Sequence, residues 1–118
     1  MRAIILGAAA LLAATSLAFA DDIMASLYGN TIVSKSAMGE AHVHYKADHT
    51  FDGTASGAMG SMDLKGTWMI DDKGQFCRTY DTPPPGVTNP LCTPWTAHKV
   101  GDSWTLGDRA ITLVQGIQ

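Results

Sequence analysis

His42-Val43-His44, with Asp48-His49 and Asp52 close behind, is the densest set of metal-capable side chains in this chain. Residues two apart on a strand point to one face, so His42 and His44 would offer adjacent imidazoles to one ion. The simplest hairpin register puts Asp52 on that face and His49 on the other. His42, His44 and Asp52 are therefore the cleaner ligand set, suited to zinc or copper. The plainer reading makes both histidines, with Lys46, the solvated face of a half-buried sheet, and it is the one favoured. Met59-x-x-Met62 would add soft thioethers for copper(I), but Met62 already has an apolar position by alternation.

Catalytic patterns are absent. Gly101-Asp102-Ser103 sits in a turn between strands, with no Gly-x-Ser-x-Gly elbow, and His98 beside it lacks an orienting carboxylate. Adjacent Asp71 and Asp72 would point to opposite faces of a strand, so they read as turn residues rather than an acid/base pair. Gly53, Gly57 and Gly60 lack the lysine and following helix of a phosphate loop. A non-catalytic binding protein is the preferred reading, with a small enzyme working in an aromatic-lined pocket as the third.

The binding reading rests on aromatic residues around a proline loop. Trp68, Tyr80, Trp95 and Trp104, with Phe76, would line an apolar pocket for a small ligand if they gather at one barrel end. Arg78 shares the Phe76/Tyr80 face and would be its polar handle. Pro83-Pro84-Pro85 is a stiff loop that would instead present a surface to a partner protein.

The elements that must position these residues are strands. Apolar residues recur with period two, and Gly, Asp, Asn and Pro clusters interrupt them every 8 to 12 residues or so, the pattern of a small all-β fold. Strands are expected near Thr31 to Ser34, Ala41 to Ala47, His49 to Thr54, Met62 to Ile70, Gln75 to Tyr80, Trp95 to Val100, Trp104 to Leu106 and Arg109 to Val114. Residues 53–61, nearly all Gly, Ala, Ser and Thr, are expected to form a loop or a weak, bulged strand. No convincing helix follows the leader. The fold class is an antiparallel meander barrel or half-barrel of about seven or eight strands. Two cysteines, Cys77 and Cys92, would form one disulfide at the base of the proline loop, worth about 3 kcal/mol in the chain-entropy model.

Arg2, an apolar run from Ala3 to Leu12 and an Ala18-Phe19-Ala20 end have the parts of a cleavable export signal. Residues 1–20 are expected to be removed, leaving 21–118 as a single periplasmic or secreted domain with no transmembrane segment. The chain carries 8 basic against 11 acidic residues, a formal charge of −3. The basic residues are scattered singly, which excludes a nucleic-acid stripe.

Lys65-Gly66-Thr67-Trp68-Met69-Ile70, then Gly74-Gln75-Phe76-Cys77 with Cys92 downstream, resembles small exported bacterial β-proteins of unknown function. Their central Gly-x-Trp strand runs into a cysteine-bearing hairpin. The resemblance implies export, β-structure and a disulfide, and carries over no catalytic residue, cofactor or ligand.

Overall fold

The computed structural model describes residues 23–58 and 60–118; the expected export signal and Met59 lie outside them. Eight strands form one antiparallel sheet: β1 Thr31–Ser36, β2 Gly39–Tyr45, β3 Thr50–Gly57, β4 Gly60–Ile70, β5 Gln75–Tyr80, β6 Leu91–Pro94, β7 Ser103–Leu106 and β8 Arg109–Val114. Their order across the sheet is β6-β5-β4-β3-β2-β1-β8-β7. The sheet curls into a half-barrel with β6 and β7 as its two free edges. Each consecutive pair is a hairpin except β6–β7. There the chain leaves one edge and crosses to the other.

Alternation decides which side chains enter the interior. On β4, Leu64, Gly66 and Trp68 are buried while Lys65, Thr67 and Met69 are exposed. On β2, Val43 and Tyr45 are buried, and Ala41 shares their face. The register pairs His44 with Asp52, which puts Asp52 on the outer face with His42 and His44. Asp71-Asp72-Lys73-Gly74 turns β4 into β5. The Asp71 carboxylate accepts from the backbone N–H of Lys73 and of Gln75, at 3.0 and 2.8 Å.

Of the two alternatives for residues 53–61, the strand holds: Ala55 pairs with Met62, Ser56 with Ser61 and Gly57 with Gly60, so β3 runs to Gly57 and β4 begins at Gly60. Backbone pairing survives there because it does not depend on side-chain size. Two expectations need correction. The stretch Trp95 to Val100 is not a strand. The strand lies earlier, at Leu91–Pro94, while 95–100 spans the gap between the sheet edges and has no neighbour to pair with. One turn of 3-10 helix, Ala25–Leu27, also precedes β1.

That turn plugs the half-barrel. Met24 and Leu27 are fully buried and pack with Ile32, Leu113, Trp68, Phe76, Tyr45 and Phe51. The Ser26 hydroxyl donates to the carbonyl of His98, tying the plug to the crossing segment. Close packing near the aromatics relies on glycine. A Cβ on Gly66 would lie 2.0 Å from the Thr79 carbonyl oxygen and 3.0 Å from Cε2 of Phe51, its partner on β3. No helix among the described residues is long and apolar enough to cross a membrane.

Candidate functional site

Large side chains fill the plugged part of the half-barrel, but small ones line another part of the same face. Ser34 on β1, Ala41 on β2 and Ala55 on β3 are cross-strand neighbours: Ser34 pairs with Ala41, and Ala41 with Ala55. Three small residues side by side leave space that their neighbours do not fill. The result is a cavity of about 320 Å³ whose wall draws on all eight strands. Pro84, Pro85 and Val87 of the proline loop also border it, as does Trp95 from the crossing segment. It is the lumen of the half-barrel.

The wall is mostly apolar, with a few neutral hydroxyls and charged groups of one sign. Arg78 and Arg109 line the cavity, and no Asp or Glu among the described residues does. Among the described residues, neither arginine joins an ion pair. Arg78 donates from Nη2 to the Thr93 hydroxyl at 2.8 Å, and its guanidinium carbon lies 4.8 Å from the centre of the Phe76 ring. Its Nε–H is buried without a hydrogen-bond partner, and so is the indole N–H of Trp95. Arg109 is exposed at the rim and donates to the buried Ser34 hydroxyl at 2.8 Å. Burial pushes the Tyr45 phenol up to about 12, although the Arg78 charge and a hydrogen bond from its guanidinium pull the other way. Tyr45 therefore stays a neutral hydroxyl on the lumen wall.

The proline loop is anchored at both ends. Cys77 and Cys92 face each other across β5 and β6 with sulfurs 2.14 Å apart, forming the disulfide. At the end of β5, the Asn89 side-chain amide replaces a partner strand. It accepts from the Tyr80 N–H at 2.8 Å and donates to the Tyr80 carbonyl at 3.0 Å.

Of the aromatic set read from the sequence, Tyr80, Trp95 and Phe76 border the lumen with Arg78, whereas Trp68 and Trp104 do not. Trp68 belongs to the plugged region, its ring stacked on His49 at 4.0 Å and its indole N–H donated to the Lys46 carbonyl. Trp104 stacks on His98 at 3.5 Å. The sequence reading omitted Ser34, Tyr45 and Arg109. Parity held the signal for all three, since each alternates in phase with an inward Ile32, Val43 or Ile111.

The histidine face has a different character. His42 Nε2 lies 2.6 Å from Glu40, while His44 Nδ1 lies 2.8 Å from Asp52. The second Asp52 oxygen takes the Lys46 ammonium at 2.6 Å. That contact, with the His44 one, holds the Asp52 carboxyl below its usual range. Each imidazole thus has its own carboxylate, and the donors are not gathered around one point. Among the described residues, the one group of three or more such donors lying within 4.8 Å of one another is Asp71, Cys77 and Cys92. Its sulfurs are joined to each other, so it offers no thiolate. A shallow hollow of about 370 Å³ beside His42, lined by Val33, Lys35, Glu40 and Thr112 among others, holds only charges that already pair. No protein-family model, curated protein or solved structure matches the chain significantly, so its function has to be argued from the lumen itself.

Proposed function

We propose that this chain is an exported, non-catalytic binding protein that takes a small, largely apolar ligand into the lumen of its half-barrel. The observation that carries this reading is the cavity of about 320 Å³, bounded by all eight strands and the proline loop. Its size lies within the range of small-molecule sites, roughly 300–1,000 Å³. Its character fits too: an apolar wall with a few polar groups at defined places. Export is supported by the leader-like residues 1–20 and by the disulfide, which persists in oxidising compartments. Among the described residues of the lumen no nucleophile is paired with a base, so binding without turnover is the simpler reading.

The test is titration of the purified, oxidised protein with the neutral fluorophore N-phenylnaphthylamine. The reading expects saturable one-to-one binding that weakens at least about tenfold when Ala41→Trp fills the lumen. Thermal melting should confirm that the variant is folded. Absent or non-saturable binding to the unaltered protein would overturn the proposal, as would unchanged affinity in the folded variant.

A further inference from the structure

Resting on the lumen-binding reading, we propose that the ligand is a singly anionic amphiphile, with its carboxylate-type head on Arg78 and Trp95 and its apolar tail along the small-residue wall.

A cation removed from water is stable only when paired or richly hydrogen-bonded. Arg78 has the Thr93 and Tyr45 hydroxyls and the face of Phe76, but, among the described residues, no carboxylate. Its Nε–H is spare. The Nε–H side of a guanidinium, with a neighbouring Nη–H, is the fork that a carboxylate matches with two charge-assisted hydrogen bonds.

The second observation is the spare indole N–H of Trp95. Trp95 and Arg78 pack on the same ring. The Phe76 centroid lies 4.9 Å from that of Trp95 and 4.8 Å from the Arg78 guanidinium carbon. Both residues line the cavity, each has an N–H without a partner, and one of them carries positive charge. Arg109 at the rim adds a second cation on the approach, and no acidic residue among the described ones lines the cavity to repel an anion.

The rest of the ligand follows from the wall. Ala41, Ala55, Val43, Leu64 and Ile111 offer no hydrogen bond, so the part that meets them is hydrocarbon. At about 30 Å³ for each water-sized group, the cavity holds roughly ten such groups. A medium-length acyl chain or a compact aromatic acid fits that volume.

The experiment displaces N-phenylnaphthylamine with three ligands of equal chain length: decanoate, decanol and decylamine. Decanoate should bind at least about tenfold more tightly than decanol, and decylamine more weakly than decanol. Arg78→Met should bring decanoate down to the level of decanol, while Arg78→Lys should restore part of the difference. If Arg78→Met fails to fold, the ranking of the three ligands on the unaltered protein still decides. Equal affinities for decanoate and decanol would overturn this inference and leave the lumen-binding reading standing. Failure of the fluorophore and all three ligands to bind would overturn both.

Discussion

His98 and Trp104 lie face to face, with ring centroids 3.5 Å apart and planes only 5° from parallel, and Trp95 meets both rings nearly edge-on. Burial lowers the His98 imidazole below its ordinary range, while the Asp102 carboxylate, 3.8 Å away, opposes the shift only in part. A histidine whose folded value is depressed binds fewer protons than in the unfolded chain. Its contribution to stability is therefore complete above the unfolded value, about 6.5, and is lost as pH falls through the folded one. Melting curves at about pH 7.5 and about pH 5.5 should show a drop in Tm that is smaller in His98→Phe, which keeps a ring on Trp104 but cannot titrate. Equal drops in both proteins would contradict this assignment. Residue-scale reading of the sequence reached the inward position of Arg78, because Phe76 and Tyr80 flank it in phase. It did not reach the two spare N–H groups, since a missing partner depends on what all the neighbouring strands bring.

At the scale of elements, the turns were the most legible parts. Asp71 to Gly74 combines a carboxylate that caps backbone N–H groups with a glycine at φ 78°, and the hairpin forms where those residues stand. Strand β6 was hidden because Pro90 and Pro94 flank Leu91-Cys92-Thr93, and proline argues against a paired strand. It is tolerated there because β6 is an edge, where one side needs no donor. Trp95 to Val100 misled for the converse reason: its aromatic content serves ring packing across the gap rather than a ladder. The disulfide joins β5 to β6 and closes the segment that carries Pro84, Pro85 and Val87 over the lumen. Cys77→Ala/Cys92→Ala should lower stability by about 3 kcal/mol. It should also weaken N-phenylnaphthylamine binding, because the loop then has more freedom to lose. Urea melts and probe titrations of both proteins check this. Unchanged affinity in the folded variant would show that the loop does not border the bound probe.

The whole molecule is an eight-strand meander that stops short of closure. Edges β6 and β7 each have four residues, and the aromatics of the crossing segment bridge them where backbone pairing does not. Short edges, one bearing proline, are a standard guard against edge-to-edge association. Periodicity and turn spacing were enough to read the all-β class and the strand number. The lumen was not readable, because it arises from Ser34, Ala41 and Ala55 becoming neighbours on three strands, and each is unremarkable in its own segment. On a net negative chain, Arg78 in the hollow and Arg109 at its rim make no ion pair among the described residues, and the proposed binding function rests on that arrangement. The most direct test is to follow amide, methyl and indole nuclear magnetic resonance signals while decanoate is added. Lumen binding should give saturable shifts at Ala41, Ala55, Leu64 and Ile111 and at the Trp95 indole N–H, with His42, His44 and Lys65 on the outer face unmoved. Shifts confined to the outer face, or none at saturating decanoate, would contradict it.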